Sequence, residues 1–248
     1  NRELRRKLSS GELSTQKFYW QVLRVVYRML FLYVAEDREL LHVPTEENAT
    51  PDEEKNLRVA RERYLNYYSI TRLRSLSLSR AGTPHPDLWH TFALVCGILG
   101  SDKGSPELAL PALGSFLWTE EESTPDLKDC LVSNRHFLEA VHAIAFVQDG
   151  NVRRAVDYRN LGAEELGSVY ESLLELHPLV NADTVTFELK TAAGHERKTT
   201  GSYYTPDSLV QCLLDSALEP VMTEAVKGKK AQEAVEAILK LKICDPAV

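Results

Sequence analysis

The chain has 248 residues, of which 44% are hydrophobic and 26% are charged, and its formal net charge at pH 7 is −7. This composition is that of a globular protein and excludes a chain that is disordered throughout. The negative net charge disfavours a protein that coats nucleic acid without selectivity, because such binding depends on many Lys and Arg side chains that neutralise phosphates.

The cysteines, the histidines and the most apolar segment each exclude a further class of protein. The four cysteines have the spacing of neither a disulfide framework nor a zinc module, and the seven histidines have no metal-ligand spacing. The segment from Val22 to Ala35 is interrupted by Arg24 and Arg28 and is shorter than the ~20 apolar residues that a membrane span needs. We therefore predict a cytoplasmic protein with no metal site and no membrane partner.

Helices dominate the first part of the chain. From Thr15 to Leu41, apolar residues recur every three or four positions over a broad face, which predicts a long helix inside a helical bundle. The acidic segment from Val43 to Glu54 predicts an exposed connection. Further helices are predicted from Leu88 to Leu99 and from Asn134 to Phe146, the second capped by Ser133 or by Asn134 itself.

A basic helix is predicted from Leu57 to about Leu73, and two interpretations of it stay open. Its arginines could contact phosphates, with the interleaved tyrosines available for stacking on bases. Alternatively, the helix is amphipathic and its arginines are solvated or paired with acidic neighbours. The candidate DNA-binding residues are Arg58, Arg61, Arg72 and Arg74.

A strand is predicted from Thr184 to Lys190, because apolar and polar residues alternate and place Val185, Phe187 and Leu189 on one face. The strand contains Glu188 and Lys190, which match the acidic-x-Lys triplet of metal-dependent nucleases. Alternating strands often produce this triplet by chance, so the sequence favours a plain structural strand over a nuclease centre.

Two motifs close the chain. Thr205-Pro206-Asp207 predicts a helix start, with Thr205 as the cap, Pro206 in the first helical position and Asp207 near the positive helix end. The helix is predicted to bury an inner side, and a second helix follows from Lys229 to about Leu241. A short strand from Lys242 is then predicted to run into Asp245-Pro246-Ala247. The inner side consists of Leu209, Val210, Leu213, Leu214, Ala217 and Leu218.

This order of motifs resembles the large N6-adenine DNA methylases of restriction-modification and related phage-defence systems. In that family a Tyr-Thr-Pro segment, one or two helices, and a strand that ends in Asp-Pro-Ala-x-Gly-Ser-Gly build the S-adenosylmethionine site. The resemblance covers about residues 156 to 248 and is shared by three further segments. These are Val156–Leu161, Glu164–Glu175 and Glu196–Thr200.

The resemblance implies a cofactor site for S-adenosylmethionine. The residues Tyr203, Tyr204, Thr205 and Pro206 would line the methionine and adenosyl moieties. Asp245 would bind the ammonium group at the end of the strand, and Pro246 and Ala247 would hold the following turn against the cofactor. The family's catalytic Asn/Asp-Pro-Pro-aromatic motif does not occur in the sequence, so the chain contains no catalytic residue of its own.

The expected fold class is therefore mainly α, with a helical N-terminal domain followed by the beginning of an α/β, Rossmann-like methyltransferase domain. The domains would be residues 1–155 as a helical scaffold, 156–200 as a connector with a strand, and 201–248 as the truncated start of the methyltransferase domain. The chain would be a portion of a site-specific adenine methyltransferase and inactive alone. Its expected partners are double-stranded DNA and other restriction or defence-system subunits. The alternative is a non-catalytic helical module that binds DNA or proteins of a defence complex.

Overall fold

The computed structural model describes residues 1–45, 48–79, 82–191 and 205–244, without the side chains at positions 120 and 121. Within these ranges the protein is mainly helical, as predicted. It forms two compact units, of which the first comprises Asn1–Leu161 with Ser172–Ala193 and the second Gly162–Glu171 with Gly194–Val248. Among the described residues, no helix has both the length and the apolar character required to span a membrane.

Helices and two short hairpins follow each other along the chain. The helices up to position 174 are α1 Arg2–Ser10, α2 Thr15–Asp37, α3 Pro51–Tyr67, α4 Ile70–Ser79, α5 Asp87–Leu99, α6 Glu120–Ser123, α7 Asn134–Ala145 and α8 Ala163–Leu174. The strands are β1 Phe146–Asp149, β2 Val152–Ala155, β3 Leu176–Asn181 and β4 Thr186–Thr191. The last helices are α9 Asp207–Leu213, α10 Glu219–Val226 and α11 Ala231–Leu239, and a π-helical turn at Leu214–Leu218 joins α9 to α10.

The predicted α/β half of the fold stays a prediction. The described residues form two sheets, each an antiparallel pair of neighbouring strands: β1 with β2 and β3 with β4. A Rossmann-like domain requires parallel strands joined by helical crossovers. The described part of the chain contains no such strand pair, and the predicted strand after Lys242 is irregular up to Cys244.

The central helix α2 organises the core of the first unit. The core includes the fully buried Tyr33 and Tyr64 and side chains from α2, α4, α5 and α7. The ring of Tyr33 stacks on that of Tyr158 with 4.7 Å between centroids. The broad apolar face predicted for this helix is confirmed, although the helix ends at Asp37 and not at Leu41. It ends there because Glu39 adopts a positive φ of 60°, which is incompatible with continued right-handed helix.

The predicted basic helix is two helices, which corrects the sequence interpretation. Helix α3 starts earlier than predicted, at Pro51, because Thr50 and Glu53 form a reciprocal capping box. It ends at Tyr67, and α4 starts at Ile70. The chain breaks at the buried Ser69, whose hydroxyl accepts a hydrogen bond from Arg72 N at 3.0 Å and donates one to the Leu65 carbonyl at 2.8 Å.

The sequence left open whether Ser133 or Asn134 caps α7, and the structure shows that the two side chains cap different helices. The hydroxyl of Ser133 accepts from His136 N, so Ser133 caps α7. The side chain of Asn134 instead accepts from Leu88 N at 3.0 Å, in the first turn of α5. One side chain therefore satisfies the amide of a helix 46 residues away in sequence.

One face of α2 is polar and forms hydrogen bonds with the segment 117–126, which follows α5. Arg28 is 4% exposed, and its guanidinium donates to the Leu117 carbonyl at 2.6 Å and to the Ser123 hydroxyl at 2.5 Å. Arg24 donates to the Ser123 carbonyl at 2.6 Å. The arginines that interrupt the apolar stretch thus bind backbone and hydroxyl oxygens of this segment, which satisfies polar groups in a largely buried setting.

The carboxylate of Asp126 joins the same segment to α1 and α2. It forms an ion pair with Lys7 at 2.6 Å and accepts from the Gln21 amide at 2.8 Å. The bond to Lys7, followed by that to Gln21, lowers the pKa of Asp126 from its ordinary value of 3.8. These interactions therefore favour the charged form of Asp126 in the folded protein.

The Asp126→Asn variant is expected to be less stable than the wild type by about 1 kcal/mol at pH 7, the upper range for a partly exposed ion pair. A lowered folded-state pKa gives stability that is complete above the unfolded-state pKa and is lost as pH falls through the folded value. The difference between the two proteins should therefore shrink as pH falls below 3.8, the ordinary pKa of the aspartate side chain. Urea unfolding at pH 7 and pH 3 measures this, and a constant difference between the proteins would contradict it.

The predicted strand at Thr184–Lys190 is confirmed as β4, which begins at Thr186 and pairs with β3. Phe187 makes an edge contact with Phe18 of α2 at 6.2 Å between centroids. Val185 was predicted to lie on the apolar face of this strand, but it occupies the turn, with φ 56° and 70% exposure. Val185 lies in the turn because the side-chain oxygen of Asn181 accepts hydrogen bonds from the amides of Asp183 and Thr184, both at 3.0 Å. These bonds stabilise a turn that extends to Val185, so β4 begins only at Thr186.

Candidate functional site

The predicted cofactor site lies in the second unit, at the start of α9. Pro206 is the residue that precedes the helix, and its carbonyl accepts from Leu209 N at 2.9 Å and Val210 N at 3.2 Å. The sequence predicted Thr205 as the cap, but no side chain caps this helix, because Pro206 itself occupies the position next to the first turn. The remaining predicted cofactor residues lie outside the described residues. These are Tyr203, Tyr204, Asp245, Pro246 and Ala247.

Helices α9 to α11 form a helical hairpin with an apolar cleft that no described residue of the second unit covers. The cleft has a volume of about 390 Å³ and lies between the α9–α10 segment and Ile238 of α11. The π-helical turn at Leu214–Leu218 lies in the wall of the cleft. Such turns are rare in proteins, and those that occur are often found at functional sites. The apolar residues that line the cleft are Leu214, Leu218, Met222, Val226 and Ile238.

The apolar side predicted to be buried on α9 is exposed in the described residues. Leu209 is 61% exposed and Leu213 is 65% exposed. None of the described residues of this unit is buried. Within the described residues, Leu214 and Leu218 of the predicted inner side face the cleft toward Ile238, while Leu209 and Leu213 have no described neighbour that buries them.

The four candidate DNA-binding arginines have different surroundings. Arg74 forms a bidentate pair with Asp37, at 2.9 and 3.2 Å, and lies over the ring of Tyr33. Arg72 donates to the Tyr67 carbonyl at 3.3 Å, while Arg58 is exposed. Arg61 donates to the Val43 carbonyl at 2.7 Å. The structure therefore does not align the four side chains as one exposed basic stripe.

A second cavity, of about 550 Å³, lies between the end of α2 and the middle of α3. Glu36 lines it with a carboxylate that accepts from the Tyr64 hydroxyl at 2.6 Å and from the amides of Ile70 at 2.8 Å and Thr71 at 2.9 Å. Burial raises the pKa of Glu36, and these hydrogen bonds oppose that rise. The carboxylate caps the start of α4, and this structural role explains why an acidic side chain is largely buried here.

His42 lines the same cavity. Its Nδ1 lies 3.3 Å from the Ala109 carbonyl, and its ring makes an edge contact with Tyr64. Burial lowers the pKa of His42, the hydrogen bond to the Ala109 carbonyl opposes this shift, and the charge of Arg61 adds to it. The imidazole is therefore held neutral, with Nδ1 as the donor to the carbonyl. No local pattern in the sequence indicates this cluster of Glu36, His42 and Tyr64, because its members come from separate segments.

A third cavity, of about 380 Å³, is lined mainly by apolar residues of α1, α2 and the β3–β4 hairpin. Arg5 closes it by donating to the carbonyls of Ala182 at 3.1 Å and Asp183 at 3.4 Å. The guanidinium thus fixes the hairpin turn against α1. We attribute a structural role to Arg5, because its donors bind backbone oxygens of the turn.

The nuclease interpretation of Glu188 and Lys190 gains no support from the fold. Both residues are exposed on β4, where Lys190 pairs with His177 and Glu188 with Leu179 across the hairpin. In the ranges that the structure describes, no group of three or more His, Cys, Asp or Glu side chains could hold a metal ion. A metal-dependent nuclease needs such a group of carboxylates.

Comparison of the chain with protein-family models, with curated proteins and with solved structures found no match in any of the three.

Proposed function

We propose that the chain is a portion of a bacterial DNA adenine-N6 methyltransferase that uses S-adenosylmethionine and acts in restriction-modification or antiphage defence. The observation that carries the proposal is the order and spacing of Tyr203-Tyr204-Thr205-Pro206, a helical segment, and Asp245-Pro246-Ala247. The helix that begins at Asp207, directly after Pro206, supports this order. The helical hairpin α9–α11 occupies the interval between the two motifs.

The chemistry of the cofactor explains why these parts would be needed. S-adenosylmethionine carries a carboxylate and an ammonium group on its methionine moiety. Backbone amides in the first turn of a helix attract a carboxylate, because they lie at the positive end of the helix dipole. Asp245 would supply the negative partner of the ammonium group, while Tyr203 and Tyr204 would line the adenosyl side.

The other parts of the chain have supporting roles in this proposal. The helical region 1–155 would be a scaffold that positions the methyltransferase domain, and double-stranded DNA would be the substrate. The proposed setting is the cytoplasm, with other restriction or defence-system subunits as partners. The 248-residue chain would not transfer methyl groups, because the motif that polarises the adenine amine does not occur in its sequence.

Calorimetric titration of S-adenosylmethionine into the full-length protein tests the proposal. We expect a Kd in the micromolar range, and we expect Asp245→Ala to weaken it at least about tenfold, because a hydrogen bond to a charged group is lost. The control is Asp102→Ala, which removes one exposed carboxylate from a loop. Absence of binding by the folded full-length protein, or equal binding by all three proteins, would overturn the proposal.

The alternative function is a non-catalytic helical module that binds DNA or protein partners of a defence complex. The exposed apolar stripe of α9, with Leu209 and Leu213 both more than half exposed, is the observation in its favour. The same titration separates the two functions. Cofactor binding that depends on Asp245 excludes the non-catalytic module.

A further inference from the structure

The β1–β2 hairpin projects from the first unit without a packing role of its own. Its eight residues are exposed apart from the half-buried Phe146 at its base. Val147 and Val152 are 53% and 54% exposed. A two-stranded hairpin with both faces in water is marginally stable at best, so this hairpin requires either firm anchoring or a partner.

The base of the hairpin is anchored in the core. Strand β1 continues directly from α7, and Val156 N, just after β2, donates to the Ala145 carbonyl at 2.9 Å. The hydroxyl of the buried Tyr158 donates to the Ile144 carbonyl at 2.9 Å, and its ring stacks on Tyr33. The direction of the hairpin is thereby set by the core, while none of the described residues of the first unit buries its outer part.

The projecting part carries two adjacent arginines. Arg153 is exposed and pairs across the hairpin with Gln148, and Arg154 pairs with Val147 on the opposite face. The guanidinium of Arg154 lies 3.7 Å from Asp149, and both side chains are about two-thirds exposed, at 66% and 70%. Such a pair contributes little free energy and leaves the arginine free to rearrange toward another anion.

The dimensions and the chemistry of the hairpin match the major groove of duplex DNA. Strands of four residues reach about 13 Å, and two paired strands are about 5 Å wide between their axes. The major groove of duplex DNA is about 12 Å wide and 8.5 Å deep and admits a two-stranded ribbon. Arginine and glutamine side chains are the donors that read guanine and adenine edges there, and arginines also bind the phosphates along the groove.

We propose that the β1–β2 hairpin is a duplex-DNA contact that enters the major groove, with Arg153 and Arg154 on phosphates or base edges. This inference rests on the proposed function in that DNA is the partner. It adds a contact surface that is separate from Arg58, Arg61, Arg72 and Arg74. It also differs from the predicted cofactor residues, so each of the two proposals can fail alone.

Fluorescence anisotropy with a labelled mixed-sequence duplex of ~20 base pairs, titrated with the 248-residue chain, tests the inference. The double variant Arg153→Ala/Arg154→Ala is expected to bind on the order of 50-fold more weakly at about 0.1 M salt, and its slope of log affinity against log salt should be smaller by about 2. The control variant Arg2→Ala/Lys103→Ala removes two exposed charges elsewhere and is expected to lose a few-fold at most.

Three outcomes would overturn the inference: no duplex binding by the wild-type chain at low salt, unchanged binding by the hairpin variant, or equal losses in both double variants. Circular dichroism melting verifies folding, and the reversal Arg153→Glu/Arg154→Glu should abolish the remaining affinity. Asp245→Ala is expected to keep hairpin-dependent DNA binding even if it loses S-adenosylmethionine. If the full-length protein fails to bind the cofactor while the hairpin variant still loses DNA affinity, only the methyltransferase proposal is overturned.

Discussion

Replacing Glu36 with alanine is expected to lower the free energy of unfolding by about 4 kcal/mol, because three donors, two of them on fully buried residues, would lose their acceptor at once. The donors are the Tyr64 hydroxyl and the amides of Ile70 and Thr71. Tyr64 is fully buried and Ile70 is 1% exposed, so few new partners are within reach of these donors once the carboxylate is removed. The start of α4 would also lose its cap.

Urea unfolding followed by circular dichroism measures this effect, and a matched pair of variants controls it. Glu36→Gln should cost roughly 2 kcal/mol. The glutamine side chain replaces one accepting oxygen by an NH₂ group, which would face a hydrogen-bond donor and could not accept from it. Glu39→Gln makes the same chemical change three residues later in a side chain that is 83% exposed, and it is expected to change stability by less than about 0.5 kcal/mol. Equal effects of the two glutamine variants would show that Glu36 is not the cap that its geometry indicates.

Replacing Arg28 with alanine is expected to cost about 3 kcal/mol, from two lost hydrogen bonds to a charged donor and lost packing of the side chain. The Leu117 carbonyl would lose its bond to the guanidinium, and the Ser123 hydroxyl would lose one of its partners. The methylene stem of Arg28 also fills space against the segment that follows α5. We expect this segment to loosen first, since Arg28 attaches it to α2 at two points.

The measurement for Arg28 combines urea unfolding with amide hydrogen exchange. Arg28→Met keeps most of the side-chain volume, so the difference between the methionine and alanine variants separates packing from hydrogen bonding. Arg58→Ala removes an exposed arginine from α3 and is expected to be nearly neutral. Unchanged exchange rates for residues 117–126 in Arg28→Ala would contradict the proposed attachment.

The local elements of the fold were largely predictable. The helices of the first unit that were predicted with strong periodicity are present, and the alternation in Thr184–Lys190 produced a strand. The break at Ser69 was missed, because the apolar period continues across it. What interrupts the helix is a local cap together with the buried carboxylate of Glu36 from α2, and periodicity does not report either one.

The candidate sites divide in the same way. The predicted cofactor residues follow from motif order alone, and the helix start at Asp207 is the part of that prediction that the described residues contain. The β1–β2 hairpin was not predicted, although a signal existed. Gly150-Asn151 stands between two short segments with β-branched residues, and a Gly-Asn pair in this setting is a local indicator of a two-residue hairpin turn. Gly150 adopts φ 59° there, as such a turn requires.

By itself, the sequence determined where several of the helices begin and which of their faces are apolar, since capping residues and the spacing of side chains act within one or two turns. Only the tertiary structure decided which charged side chains are buried. Arg28 and Arg74 are largely buried because each binds a partner that is distant in the chain, Leu117 and Asp37 respectively. Arg153 is exposed. A single charged residue has no local preference strong enough to choose between these environments, because burial becomes tolerable only when a folded neighbour supplies its hydrogen bonds.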